Sequence, residues 1–166
     1  MRASLSTTMY TITPLNTWPI ADILAIQQQA YHDGLIEQGE VLLHKIHSAP
    51  LSLAAVKNGA LCGYAIACPW HTSLAPVWNQ STPVAAPNCL YVHDIAIAPA
   101  HQGQGLAERL MRQVLELGAQ QGFALAVGVA VQGAASYWQR LGFHPAPAPD
   151  VSSFGAGAVW LERTLP

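Results

Sequence analysis

An apolar segment, a glycine-rich turn and an amphipathic stretch follow one another directly between residues 90 and 121. Residues 90–98 are mostly apolar and predict a strand. A helix is predicted over residues 103–121 from an apolar stripe formed by Leu106, Leu110, Val114 and Leu117. Gly103 and Gly105 stand at the junction, where the absence of a Cβ lets the backbone curl sharply. A strand that passes into a helix in this way predicts an α/β fold.

Before this segment the pattern predicts one short strand and two helices. The strand covers residues 9–13, and the first helix follows Thr17, which we expect to cap it, with Pro19 in the first turn. Apolar residues at helical spacing predict a second helix around residues 41–46.

A hairpin is predicted next. Two apolar runs, residues 51–56 and 61–68, are joined by Lys57-Asn58-Gly59, and an Asn-Gly pair is typical of a tight hairpin turn.

After the glycine-rich turn and its helix, the chain alternates strand and helix again. Residues 123–131 form a continuous apolar strand, residues 133–141 a short helix ended by Gly142, and closing strands begin at Phe143 and at residue 158. The order β-α-α-β-β-β-α-β-α-β-β predicts a mixed α/β sheet in a single domain over residues 1–166.

Composition narrows the possible partners. The chain is 51% hydrophobic and only 10% charged, with a net charge of −2, so it lacks the basic surface that nucleic-acid binding requires. No apolar run reaches the roughly 20 residues of a membrane-spanning helix, and residues 1–8 contain no apolar leader segment. The three cysteines form no paired motif and are expected to be free thiols. We therefore expect a cytoplasmic protein that binds neither nucleic acid nor membrane.

The glycine-rich turn is also a candidate anion site. Unpaired amides and the positive end of the helix dipole favour a phosphate at such a position, although an ordinary strand-to-helix turn would also use glycines. A dinucleotide fingerprint would need Gly or Ala where Glu108 stands, and the G-K-[ST] of a P-loop is absent.

Two segments resemble the motifs of the GNAT superfamily of N-acyltransferases. Residues 102–107, Gln-Gly-Gln-Gly-Leu-Ala, are similar to the family's Q/R-x-x-G-x-G/A signature, and Ile97-Ala98-Pro99 precedes them as V/I-x-P does there. Residues 138–143, Trp-Gln-Arg-Leu-Gly-Phe, resemble its Y-x-K-x-G-F motif. One helix and one strand separate the two, as in the family, which implies a mostly antiparallel central sheet flanked by helices.

The resemblance implies acetyl-CoA as the acyl donor. The backbone of Ile95, Ala96 and Ile97 would pair with the pantetheine arm, and a backbone N–H near Ile97 would stabilise the oxyanion. Trp138 is expected to pack against the cofactor or in the core. The pyrophosphate would be held by the amides of the motif, which are those of Gln102, Gly103, Gln104, Gly105, Leu106 and Ala107.

The second motif departs from the family in two places. Many members have a tyrosine where Trp138 stands, and this tyrosine serves as a general acid that indole cannot replace. Tyr137 is the candidate acid instead, although neighbouring helix residues point about 100° apart. Val131 stands where an asparagine is often found.

His93 is the candidate general base. An amine acceptor must lose a proton before it attacks, and the ordinary pKa of histidine, about 6.5, suits that task. Strand alternation places Tyr91, His93, Ile95 and Ile97 on one face, where Tyr91 would orient the imidazole or line the pocket, and Asp94 on the other face unless a bulge reorients it. A histidine that is merely hydrogen-bonded within the sheet is the alternative.

Two further features have weaker interpretations. His44 and His47 are three residues apart but have no third ligand nearby, so no metal site is expected. The long loop over residues 69–87 contains Trp70 and Trp78 and predicts either a lid over an apolar acceptor or a flexible insert.

These features together predict an acetyl-CoA-dependent N-acetyltransferase that moves an acetyl group to the amine of a small molecule or peptide, in a monomer or homodimer. A catalytically silent module that senses acyl-CoA is the alternative.

Overall fold

The computed structural model describes residues 9–31, 36–80, 84–131, 133–147 and 149–166, so the N-terminal segment 1–8 lies outside the described residues. The strands are β1 (Thr11–Pro14), β2 (Leu53–Lys57), β3 (Ala60–Trp70), β4 (Cys89–Ile97), β5 (Leu125–Ala130), β6 (His144–Pro145) and β7 (Val159–Thr164). The helices are α1 (Ile20–Ala30), α2 (Gly39–Ser48), α3 (Leu106–Gln120) and α4 (Ala135–Arg140). The predicted order of elements is confirmed.

The strands form one sheet in the order β1-β2-β3-β4-β5-β7-β6. Neighbours are antiparallel except for β4 and β5, which run parallel. The predicted mixed, mostly antiparallel sheet is therefore confirmed, and α3 provides the crossover that a parallel pair requires.

The hairpin between β2 and β3 turns as predicted. Asn58 and Gly59 have φ angles of 52° and 74°, which are the positive values that a two-residue turn of this kind needs.

The expected cap at Thr17 is wrong. Thr17 lies in a short 3-10 turn, and its hydroxyl donates a 3.4 Å hydrogen bond back to the carbonyl of Pro14. Helix α1 begins at Ile20 with Pro19 as its N-cap residue and no side-chain cap.

Each face of the sheet carries its own core. Helix α3 packs on one face through Leu106, Leu110 and Val114, against strand residues that include Ala55, Ala65, Leu90, Val92, Ile95 and Ile97. Helices α1 and α2 cover the other face, against residues that include Ala54, Tyr64, Ile66 and Ala96. Three residues of the stripe predicted for α3, Leu106, Leu110 and Val114, are therefore buried, and the fourth, Leu117, is partly buried.

A bulge in β4 changes which side chains share a face. Ile66 pairs with Asp94 while its neighbour Ala67 pairs with Val92, so His93 is an extra residue in the ladder. Beyond the bulge the alternation is shifted by one, and Ile95 and Ile97 join the α3 side together with Leu90 and Val92. The expectation that Tyr91 and His93 share a face with Ile95 and Ile97 is wrong for this reason.

Strands β4 and β5 are paired only at one end. Their ladder consists of Leu90 with Ala126 and Tyr91 with Val127, and it stops just before the bulge. The rest of β4 therefore has no strand partner on that side among the residues that the structure describes.

Candidate active site

A cleft of about 590 Å³ lies beside the free part of β4. Residues 93–97 of β4 line the cleft, and α4 contributes Tyr137 and Trp138. The glycine-rich turn lines one part of the cleft, and Glu37, Trp78 and Phe154 line another. The part of β4 beyond its pairing with β5 therefore borders this cavity.

The glycine-rich turn presents bare backbone. Gly103 and Gly105 have φ angles of 78° and 74°. A Cβ added to Gly103 would meet nothing within 4 Å, and one added to Gly105 would meet only Oε2 of Glu108 at 4.0 Å. The space that side chains would occupy is therefore open, as a group that contacts the backbone closely requires.

The turn leads directly into the N-terminus of α3. Gly105 is the N-cap residue and no side chain caps the helix. Within the described chain, the amides from Gly103 to Glu108 donate no hydrogen bond to another element. Unpaired amides and the helix dipole together fit an anion such as a diphosphate.

The side chain of Gln102 has a structural partner. Its Nε2 donates a 3.1 Å hydrogen bond to the carbonyl of Ile97 and so ties the turn to the end of β4. Gln104 is exposed and does not line the cleft, whereas the other predicted cofactor-binding residues do.

His93 lies in the cleft wall and is hydrogen-bonded at both ring nitrogens. Nδ1 is 3.1 Å from the hydroxyl of Tyr91, and Nε2 is paired with Oε1 of Glu37. Tyr91 is fully buried and does not line the cleft. Of the two roles expected for Tyr91, its position therefore fits the one in which it orients the imidazole of His93. His93 lies on the side of the sheet that alternation from Tyr91 gives it, and Glu37 lies on that side as well.

Glu37 is a buried carboxylate between α1 and α2. Its backbone N–H donates a 3.1 Å hydrogen bond to Oε1 of Gln27. Burial by itself would raise the pKa of Glu37, but the hydrogen bond and charge of His93, with help from Lys45, outweigh it and lower the pKa. Glu37 therefore carries its negative charge at neutral pH.

Asp94 lies on the same side of the sheet as His93 and not on the opposite side. The hydroxyls of Tyr31 and Tyr64 both donate to its carboxylate, the second at 2.6 Å. Burial raises the pKa of Asp94, and the two hydroxyls and the nearby His93 offset part of that rise. The alternation that placed Asp94 on the other face fails because the bulge inserts one residue before it.

Tyr137 and Trp138 both reach the cleft but differ in their surroundings. The ring of Trp138 packs on β5 so closely that a Cβ on Gly128 would lie 2.7 Å from it. Tyr137 is half-buried, and burial, together with the charge of Glu108, raises its pKa to about 12. The hydroxyl in this part of the cleft thus belongs to Tyr137, and it stays protonated at neutral pH.

The long loop after β3 contributes one of its two tryptophans to the lining of the cleft. Trp78 lines the cleft and makes an edge-to-face contact with Phe154 at 5.8 Å between ring centroids. Trp70 lies at the end of β3, buried against Tyr91, and does not line the cleft, so it takes no part in a lid over this cleft.

Hydrogen bonds attach this loop to its surroundings. The backbone N–H of Trp78 donates to Oγ of Ser153, Oδ1 of Asn79 accepts from the N–H of Gln38, and the carbonyl of Gln80 accepts from Nζ of Lys45 at 2.8 Å. The described part of the loop is therefore anchored to Gln38 and Lys45 and also to Ser153.

The three cysteines do not line the cleft. Burial raises the pKa of both Cys68 and Cys89 to about 12, so these thiols stay protonated. Across the described ranges, no group of three or more His, Cys, Asp or Glu side chains is placed to hold a metal. None of the helices in those ranges is long and apolar enough to cross a membrane.

Sequence reasoning missed Glu37 and misplaced Asp94. Glu37 is 56 residues from His93 along the chain and lies between two helices without a motif around it. No local pattern marks Glu37, because its burial and its pairing with a distant histidine exist only in the folded chain.

Comparison with solved structures places the fold among acetyltransferases. The ribosomal-protein-S18-alanine N-acetyltransferase of Escherichia coli superposes with a TM-score of 0.71 at 18% identity over 95% of this chain and 94% of that one. The PaiA N-acetyltransferase of Thermoplasma acidophilum, solved with coenzyme A, gives 0.70 at 13% identity over 94% and 99%. The loading GNATL domain of CurA from Lyngbya majuscula gives 0.74 at 14% identity over 94% and 98%. These identities are low enough that the likeness concerns the fold alone.

Sequence comparison adds the family. No curated protein sequence matches the chain. The profile of the Acetyltransferase (GNAT) family matches residues 17–143, which include both motifs, the bulged strand and the glycine-rich turn. Members of this family take their acyl group from acetyl-CoA, and coenzyme A is present in solved relatives. The chain thus belongs to the GNAT family of acetyltransferases.

Proposed function

We propose that this protein transfers an acetyl group from acetyl-CoA to the amine of a small molecule or peptide by direct attack. The observation that carries the proposal is the arrangement of the cleft. A bare glycine-rich turn lies in one part of it, a buried acid–imidazole pair in another, and an unpaired strand runs between them.

The turn and the strand are the proposed binding site for the donor. Amides from Gly103 to Ala107 would hold the diphosphate, with Gln102 fixing the turn by its bond to Ile97. The backbone of residues 95–97 would pair with the pantetheine arm in place of the strand partner that β4 lacks there. Trp138 and Leu106 would supply apolar contacts.

Acetyl-CoA supplies an activated acyl carbon and a good leaving group. A backbone N–H near Ile97 is proposed to stabilise the oxyanion, and a preorganised donor of this type contributes about 2.7–4 kcal/mol. Tyr137 is proposed to donate a hydrogen bond to the departing sulfur, because its hydroxyl lies in the cleft and stays protonated.

The proton of the acceptor is proposed to leave through His93 and Glu37 acting together. Both ring nitrogens of His93 are engaged, so the imidazole does not face the acceptor with a free lone pair. With a neutral imidazole the pair carries one negative charge and can take up one proton. Tyr91 would keep the ring in place.

Binding and turnover are tested separately. Acetyl-CoA and CoA should raise the thermal midpoint, since a ligand at one hundred times its Kd adds about 2.7 kcal/mol of stability. Thiol release should then depend on an added amine, and the acetylated amine should be found by mass spectrometry. Stabilisation by acetyl-CoA without release for any amine would support a silent acyl-CoA sensor. No stabilisation by any CoA ester would overturn the donor site as well.

A further inference from the structure

One oxygen of the buried carboxylate in the cleft has no partner. Oε1 of Glu37 is paired with His93, but Oε2 is buried and accepts no hydrogen bond from any residue that the structure describes. The side chain is only 2% exposed. Leaving such an acceptor unpaired destabilises the fold, and more so when the group is charged. A donor is therefore expected to reach Oε2 from the cleft that Glu37 lines.

None of the described groups around Glu37 supplies that donor. Lys45 of α2 directs its Nζ at the carbonyl of Gln80, 2.8 Å away. The hydroxyls of Tyr31 and Tyr64 are bonded to Asp94 on β4, and Tyr91 is next to Nδ1 of His93. The backbone N–H of Asn79 helps to lower the pKa of Glu37 without forming a hydrogen bond to Oε2.

The charges on this side of the cleft favour a cation. Glu37 carries its charge at neutral pH, and Lys45, whose charge acts on it, is already bound to a backbone carbonyl. An acceptor with a carboxylate beside its amine would bring a second negative charge to Glu37, and like charges at close range cost affinity.

An aromatic wall lies next to this acid. Trp78 and Phe154 line the same cleft as Glu37 and contact each other. Their position relative to the acid is fixed, because Asn79, next to Trp78, accepts the 2.8 Å hydrogen bond from the N–H of Gln38, next to Glu37. An apolar group attached to the amine would find a partner there.

Resting on the acyl transfer proposed above, we infer that Glu37 selects the acceptor. Its Oε2 accepts an N–H of a primary amine that is positively charged at neutral pH, and the apolar, preferably aromatic, body of that amine lies against Trp78 and Phe154. His93 is a positioning residue for this contact, because it holds the other oxygen of the same carboxylate.

The inferred contact fits the proposed transfer step. The ammonium gives one proton to the Glu37–His93 pair and becomes a neutral amine whose remaining N–H still bonds to Oε2. Its nitrogen lone pair forms the new bond to the acyl carbon while the carbon–sulfur bond breaks. The sulfur leaves with that electron pair and takes up the second proton of the nitrogen.

Two isomeric amines test the inference. Phenethylamine is an ammonium ion at neutral pH, whereas 4-ethylaniline has the same atoms but is neutral there. Glu37→Gln keeps the size and a carbonyl oxygen but removes the charge. We expect it to raise KM for phenethylamine about tenfold or more, the scale of one charge-assisted hydrogen bond, and KM for 4-ethylaniline by less than about twofold. Phenylalanine, which adds a carboxylate, should be a poor acceptor for the wild type.

Matched variants separate this effect from misfolding. Glu40→Gln removes the same charge from an exposed position in the first turn of α2, and it should leave both KM values unchanged. His93→Gln should weaken phenethylamine binding, and the double variant should be no worse than Glu37→Gln alone, because both changes disturb one contact. The affinity for CoA and the thermal midpoint report whether each variant is folded.

The outcomes also distinguish this inference from the proposed function. If the wild type binds acetyl-CoA but turns over no amine, the acyl transfer is refuted, and the Kd of the two amines for the CoA-bound protein then tests Glu37 by the same comparison. Equal effects of Glu37→Gln on both amines, or no effect on either, would overturn the role of Glu37. Efficient use of phenylalanine would do the same.

Discussion

Tyr64 donates a 2.6 Å hydrogen bond to Oδ2 of Asp94, across the ladder from β3 to β4 and beside the bulge at His93. Both residues are buried, and Tyr31 binds the other oxygen. The two hydroxyls lower the pKa of Asp94, but burial outweighs them and raises it.

The stability of the protein should change with pH through Asp94. Burial raises its pKa, so the folded state holds this proton at pH values where the unfolded chain has released it. Its contribution to stability is present at low pH and falls as pH rises through that window, with a slope of at most about 1.4 kcal/mol per pH unit. Asp94→Asn should lack this slope.

Unfolding of both proteins in urea between pH 4 and 8 measures the difference. Glu37, whose pKa is lowered, contributes in the opposite sense and loses its stabilisation as pH falls, but it is present in both proteins and cancels. Parallel stability curves for wild type and Asp94→Asn would contradict the prediction.

Gly105→Val should abolish tight CoA binding. The residue has a φ of +74°, and a branched side chain there would fill the open space of the cradle. Isothermal titration should show a loss of affinity of about 100-fold or more, which corresponds to roughly 2.7 kcal/mol.

Gly59→Val is the matched control for strain. It has the same φ of +74° and equally open surroundings, but it lies in the β2–β3 turn and does not line the cleft. It should cost similar stability and leave the CoA affinity unchanged. Equal affinities for the two variants would mean that the diphosphate binds elsewhere.

Trp78→Ala should weaken binding of the acceptor amine and leave binding of the acyl donor nearly unchanged. The indole lines the cleft on the side of Glu37, and losing an aromatic contact of about 1–2 kcal/mol should raise KM for an apolar amine about 5- to 30-fold. The affinity for CoA should hardly change. Trp70→Phe, at a position outside the cleft, should leave KM unaltered, and a similar rise in both variants would argue for a general loss of structure.

Tyr137→Phe should lower kcat more than it changes KM. The variant removes the hydroxyl that we propose donates a hydrogen bond to the departing sulfur, and one preorganised donor of this kind contributes about 10²- to 10³-fold to kcat. Because burial raises its pKa to about 12, Tyr137 should not produce a basic limb in the rate profile below pH 10. A variant with wild-type kcat would show that the thiolate leaves without help from this residue.

The sequence determined those features of this protein that depend on neighbours along the chain. The hairpin at Asn58-Gly59, the stripe on α3 and the glycine-rich turn before it all follow from local conformational preference and periodicity. Periodicity also placed His93 on the strand that borders the cleft, and the two motifs indicated the family that the profile then confirmed.

The tertiary structure alone decided which side chains meet at the site. One inserted residue at His93 reverses the alternation of β4, which moves Asp94 to the side of Tyr91 and puts Ile95 and Ile97 on the other. Simple alternation cannot reveal this, because the bulge exists only relative to the pairing with β3. Glu37 reaches His93 across 56 residues because α1 and α2 pack on that face, and packing between distant segments leaves no local pattern to detect.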